Sequence, residues 1–134
     1  MAFELKSPAF EHGSEIPQRH TCEGEDVSPS LTWSGVPDGA ASLALIVDDP
    51  DAPVAEPFVH WLAWGIDPAA GGLAEDESAP TEGASGFGDV GYRGPCPPPG
   101  HGPHRYFFRL HALDAAIEGH VLETAELIGT YERN

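Results

Sequence analysis

Apolar residues alternate with polar or smaller ones in several short runs, each closed by Pro, Gly, Asp or Ser. A two-residue period marks strands with one buried face, and the closing residues are turn formers. Residues 3–5 read as a short edge strand, and residues 31–33 as another, closed by Gly35 and Pro37. Residues 42–48 (SLALIVD) put Leu43, Leu45 and Val47 on one face and stop at an Asp-Pro-Asp-Ala-Pro turn. Residues 58–66 (FVHWLAWGI) are apolar on both faces, the pattern of a central strand covered on both sides. In residues 105–113 (RYFFRLHAL), Tyr106, Phe108, Leu110 and Ala112 share one face, and Arg105, Phe107, Arg109 and His111 the other. Residues 119–127 (GHVLETAEL) have the spacing of a short helix, and residues 127–133 close the chain as a last strand. Residues 70–89 read as an exposed, weakly ordered loop. Such strand density with long Pro- and Gly-rich connections predicts a mainly β domain of two packed sheets with a minor helix.

The strand ends carry the polar residues of most interest. Asp49 has the parity of Leu43, Leu45 and Val47; His60 falls on the face of Leu62 and Trp64; His104 falls on that of Tyr106 and Phe108. If the first two of these strands are antiparallel neighbours, Asp49 and His60 meet at one rim, and a third strand parallel to the second brings His104 there. One carboxylate, two imidazoles, the Tyr106 phenol and Arg105 then converge at the mouth of an apolar core, the general form of a small-ligand pocket.

Each component also has a simpler reading. Asp49 and Asp51 in an acidic turn accept backbone N–H groups, and a histidine inside an apolar strand more often donates to a carbonyl or carboxylate. His101 and His104 are spaced like two metal ligands, but Gly102 and Pro103 do not hold them on one helix face. No Cys or Glu completes a zinc set, so neither metal nor cofactor is expected. Residues 95–100 (PCPPPG) read as a rigid polyproline-like connection, next to glycines that let backbone amides approach an anion. No Gly-x-Ser-x-Gly elbow occurs, and an Asp49–His60 general base has no nucleophile or metal to activate, so the chain reads as non-enzymatic.

Length and charge narrow the classes. At 134 residues and 40% hydrophobic, the chain is a single domain over residues 1–134, able to bury a core without staples. Six Lys and Arg against 22 Asp and Glu give a net charge of −16, which disfavours nucleic acid and anionic membranes as partners. The acidic residues are spread rather than blocked and Lys6 is the single lysine, which points to a halophilic source. No run is long enough to span a membrane and no charged-then-apolar leader opens the chain, so the expectation is a soluble cytoplasmic protein. Cys22 and Cys96 form no metal motif; two buried thiols are the default in that compartment, with a bridge between them the alternative.

Taken in order, SPAF, GSEIPQRHTCEGEDVSPSLTWSGVP, SLALIVDDPDAP, VHW, GYRGPCPPPGHGPHRYFFRLHALD and GHVLETAELIGTYER are more specific. The chain resembles the phosphatidylethanolamine-binding protein family in its bacterial and archaeal, Raf-kinase-inhibitor-like branch. The resemblance runs from about Ser7 to Arg133, and Asp-Pro-Asp-x-Pro with Gly-x-His-Arg-Tyr carries it.

It implies a β-sandwich of two sheets with one or two short helices, and a pocket for phosphate, acetate or phospholipid-headgroup-like anions. By motif, Asp49, Asp51, His60, His104, Arg105 and Tyr106 match pocket positions, with backbone of Gly94 and Pro95 at the wall. Pro53 matches a proline that is typically cis, and Pro57 is a second candidate. The resemblance implies a small anion or phosphorylated small molecule as ligand, a homodimer, and alternatively a protein partner, a protease or kinase inhibited through a surface loop at residues 76–89. Three departures weaken parts of this, the first being Pro57 and Phe58, which stand where the family tends to carry an aromatic pair at the pocket lip. Only AAIE separates HALD from GHVLETAEL, where relatives carry a longer segment with a helix, and the C-terminal helix of animal members has no counterpart.

Overall fold

In the computed structural model, which describes residues 2–115 and 121–134, strand β3 (Ser42–Asp49) forms the centre of the larger sheet. It is antiparallel to both β4 (Phe58–Ile66) and β7 (His104–Leu113), so those two strands run parallel to each other with β3 between them. The remaining strands are β6 (Thr81–Glu82) beside β4 and β8 (Val121–Tyr131) beside β7, giving the order β6-β4-β3-β7-β8. A second sheet pairs β1 (Glu4–Lys6), β2 (Leu31–Ser34) and β5 (Gly72–Leu73) in the order β1-β2-β5. The fold is thus mainly β in two sheets, and no described helix is long and apolar enough to cross a membrane.

Alternation decides which face packs. Leu43, Leu45 and Val47 of β3 and Tyr106, Phe108 and Leu110 of β7 are all buried, as their period requires. They join Leu5, Leu31, Trp33 and Ile16 in one apolar cluster. The outward residues Ile46, Phe107 and Arg109 remain half-buried.

Several expectations are corrected. Central position belongs to β3, while β4 is flanked on one side by the two-residue β6 alone. The helix expected over residues 119–127 is strand β8 from Val121 onward; Gly119 and His120 lie outside the described residues. Val121, Leu122 and Ala125 do fit a helical stripe, but pairing with β7 from His104–Tyr131 to Leu113–Val121 wins, and Ala125, Leu127 and Tyr131 point inward at period two. Among the described residues the single helix is a short 3-10 turn at Gln18–His20. The stretch 70–89 is more structured than a loose loop: it contributes β5 and β6 and buries Leu73, Ala79 and Ser85.

Cys22 and Cys96, by default two thiols, are joined as a disulfide. The described residues hold no cis peptide bond, so Pro53 and Pro57 are trans. A trans proline fits because Val54 N–H closes back on the Ala52 carbonyl at 2.7 Å, a tight turn centred on Pro53 that its fixed φ favours.

Candidate functional site

Three strand ends build the site. The end of β3 supplies Asp49, whose Oδ1 accepts the Asp51 N–H at 2.7 Å and so starts the turn out of the strand. Its Oδ2 accepts from His104 Nδ1 at 2.6 Å, at the start of β7 two strands' width from β4. Both side chains are buried, so the pair is a charge-assisted bond shielded from water.

His60 arrives by an irregularity. Val47 pairs with Trp61 but Asp48 pairs with Val59, so His60 is the extra residue of a β-bulge. The bulge reverses alternation at that point, and His60 and Trp61 are both buried. His60 therefore joins the Asp49 face rather than the face of Leu62 and Trp64, where simple parity places it. Its Nδ1 donates to the Arg93 carbonyl at 2.8 Å, and burial pushes its pKa below the usual histidine value. The ring is a neutral imidazole whose Nε2 presents a lone pair.

The cavity these residues share has a volume of about 260 Å³. Asp49, His60, His104 and Tyr106 line it together with Phe58, Phe87 and the loop residues Ala52, Pro53 and Val54; Cys96, Pro97 and Pro98 form the opposite wall. His60 makes edge contacts with Phe58 at 5.3 Å, Phe87 at 5.5 Å and Tyr106 at 5.2 Å, which fix its plane. Tyr106 is 1% exposed, and its hydroxyl meets no protein partner in hydrogen-bond geometry. Burial first, then the nearby Asp49 carboxylate, hold its pKa well above the usual phenol range, so the hydroxyl keeps its proton.

Four of the residues singled out in the sequence lie outside the cavity lining. Arg105 alternates with His104 and Tyr106 and points away; it forms a two-pronged pair with Asp51, both N···O distances 2.9 Å. That guanidinium holds the Asp51 carboxyl down to about 2. Gly94 gives its N–H to Asp26 at 2.7 Å, and Pro95 has none to give, so neither amide faces an anion. A Cβ on Gly94 would lie 2.0 Å from the His20 carbonyl oxygen, so glycine is there for close packing.

Sequence reasoning passed over His101 except as a metal candidate. Pro98 and His101 close a turn through the His101 N–H and the Pro98 carbonyl at 3.1 Å, with Pro99 and Gly100 (φ +75) at its corner, as a type II turn requires. The Pro- and Gly-rich stretch thus folds back, and His101 Nδ1 meets His104 Nε2 at 2.6 Å. An exposed imidazole caps the buried one, giving a line Asp49–His104–His101 from the core to the surface. The signal was present in HGPH, as two histidines astride a Gly-Pro turn. Phe87 was also missed, since nothing local marks a residue as pocket wall; Phe58, placed at the lip by the resemblance, and Cys96 of the Pro-rich stretch do line the cavity.

The family model for phosphatidylethanolamine-binding proteins matches residues 6–132. A UPF0098 protein of Methanothermobacter thermautotrophicus is 46% identical, covering 96% of this chain and 98% of its own length. Another, of Aquifex aeolicus, is 40% identical over 98% of this chain and 89% of its own. Among solved structures, E. coli YbcL, described as a member of the mammalian PEBP family, superposes with a TM-score of 0.92 at 31% identity, with both chains fully covered. A phosphatidylethanolamine-binding protein homologue of Chlamydia trachomatis gives 0.91 at 38% identity, with 99% of each chain covered.

Proposed function

The chain belongs to the phosphatidylethanolamine-binding protein family, and from that premise we propose that the cavity around His104 and Tyr106 binds a small anion or phosphorylated small molecule without turning it over. The observation that carries this is the Tyr106 hydroxyl. The hydroxyl has the Asp49 carboxylate nearby but makes no protein hydrogen bond of good geometry; a buried donor left so costs up to about 1–3 kcal/mol, and a ligand oxygen in the cavity removes that cost. Asp49 fixes the His104 ring beside it, so the site is organised before a ligand enters. At about 260 Å³ the cavity holds a headgroup-sized molecule and not acyl chains. Cys96, a thiol on the wall, is tied up in the disulfide and is not available as a nucleophile. This supports a binding role over catalysis.

Isothermal titration with phosphate and phosphoethanolamine tests the reading on wild type, His104→Ala and Tyr106→Phe. Saturable binding that weakens in both variants supports it; equal affinity in all three proteins removes the pocket from the function.

A regulatory role through a protein partner, such as a protease or kinase, has one observation in its favour. Phe87, Val54 and Val90 are exposed at 39, 58 and 69%, and the first two also line the cavity. Capture of a partner by Phe87→Ser as well as by wild type argues against that surface.

A further inference from the structure

We infer that the outer edge of β8 takes up an extended peptide as an added strand, one in which basic residues alternate with apolar ones. The groove beside this edge shares no lining residue with the His104 pocket, so the inference does not depend on what that pocket binds.

The backbone is the first ground. β8 closes one side of the large sheet, and successive residues of a strand aim their N–H and C=O groups to opposite sides. On the outer side, the Ile128 carbonyl accepts the Gly13 N–H at 2.6 Å and the Ile128 N–H donates to His12 Nδ1 at 3.2 Å. Thr130 donates to the Ser14 carbonyl at 2.9 Å and accepts the Ile16 N–H at 2.7 Å. Even-numbered residues therefore face outward. Pairing with β7 keeps one register from Tyr131 back to Glu123, so Thr124 and Glu126 face outward too. Among the described residues nothing meets their backbone groups on that side. The open stretch continues into Val121 and Leu122, exposed at 55 and 41%, and it carries neither Lys nor Pro, the usual guards of an edge.

The groove is the second ground, and charge selects what fills it. A cavity of about 440 Å³ lies between β1 and β8, with Phe3, Leu5, Phe10 and Leu127 lining it. An added strand would send every second side chain toward this apolar lining, so main-chain bonds supply attachment and the groove supplies selectivity. Of the acids around it, Glu4 is paired with Lys6 at 3.4 Å and Glu126 with Arg109 at 3.0 Å. Glu11 at the groove and Glu123 on the edge have no cationic partner among the described residues. A second copy would bring the Glu123 and Glu126 of both chains to one seam, between two molecules of net charge −16. The same acids attract a basic strand, so they guard the edge against self-pairing and leave it open to a partner of opposite charge.

The test titrates the full chain calorimetrically, at constant ionic strength, with a capped heptapeptide of alternating Lys and Val. Its Glu–Val counterpart is the charge control. Two further forms carry backbone N-methyl groups on every Lys or on every Val nitrogen. In an added strand one of these sets faces β8 and the other faces solvent, so one methylated form is expected to lose about tenfold or more while the other binds like its parent. Thr124→Pro removes an outward N–H at an edge position that tolerates proline, and a similar loss is expected there. Equal affinity of both methylated forms and the parent reduces the attraction to charge and overturns strand addition. Equal affinity of the acidic and basic peptides overturns the choice of partner, and absence of saturable binding by the basic peptide overturns the site. Light scattering tests the other occupant: a wild-type dimer that Thr124→Pro converts to monomer gives the edge to a second copy and overturns the peptide.

Discussion

His104 donates from Nδ1 to Asp49 Oδ2 across 2.6 Å, although 55 residues separate the two in the chain and neither side chain is more than 4% exposed. Asp49 also receives the Asp51 N–H, so one carboxylate anchors both the β7 start and the turn after β3. Asp49→Ala leaves a buried imidazole and a backbone amide without their acceptor. The unfolding free energy is expected to drop by about 3 kcal/mol in urea titration, as for other broken buried pairs. A loss below about 1 kcal/mol contradicts that anchoring role.

His60 gives the stability a dependence on pH. Burial lowers its pKa against the pull of the Arg93 and Gly94 carbonyls and of the Asp49 and Asp26 charges. The unfolded chain takes up a proton near pH 6.5, where the folded ring does not, so stability is full above about 6.5 and falls as the pH drops below it. Wild type is expected to lose more unfolding free energy than His60→Gln between pH 7.5 and 5. Parallel curves for the two proteins contradict the assignment of that loss to His60.

What was legible in the sequence follows from which signals are local. Alternation along β3 and β7 was readable because one face of each is buried, and it placed Asp49, His104 and Tyr106 on a common side. The same parity, applied strictly, sends Arg105 outward with Phe107, which is where the structure has it, paired with Asp51. His60 was misplaced because a bulge depends on the register with β3, which no single strand reveals. Strand β8 was misread for a related reason: its helical stripe is local, and its pairing with β7 is not. The Cys22–Cys96 contact spans 74 residues and depends on the whole fold.

Gly94 separates a packing role from a binding one. Its Cβ position falls 2.0 Å from the His20 carbonyl oxygen and 2.6 Å from Asp26 Oδ1, both on backbone or a bonded carboxylate that cannot step aside. Gly94→Ala is expected to destabilise by about 3 kcal/mol, at the upper end for overpacking, in denaturant unfolding. An unchanged midpoint shows that the loop relaxes and that the glycine is not required for close approach.

The disulfide ties the cavity wall at Cys96 to the loop at Cys22. Closing a loop of 74 residues restricts the unfolded chain, worth about 4 kcal/mol in the chain-entropy account. The double variant Cys22→Ser, Cys96→Ser is expected to unfold at lower denaturant by that order. Intact mass of the unreduced protein, lower by two hydrogens, checks that the bond forms.

His101 stands at the surface end of the Asp49–His104–His101 line. Its Nδ1 occupies His104 Nε2 at 2.6 Å, yet the side chain is exposed, so little packing holds it there. Any ligand atom that hydrogen-bonds His104 Nε2 must first break this contact, and the net worth of one such bond is about 0.5–1.5 kcal/mol. His101→Ala is therefore expected to lower stability by about that same 0.5–1.5 kcal/mol while tightening phosphate binding several-fold. The alternative geometry has His101 turning with the ligand and donating to it, and in that case the same variant binds more weakly. Calorimetry on His101→Ala beside His104→Ala separates the two: opposite signs make His101 a competitor for the site, and losses in both make it part of the binding surface.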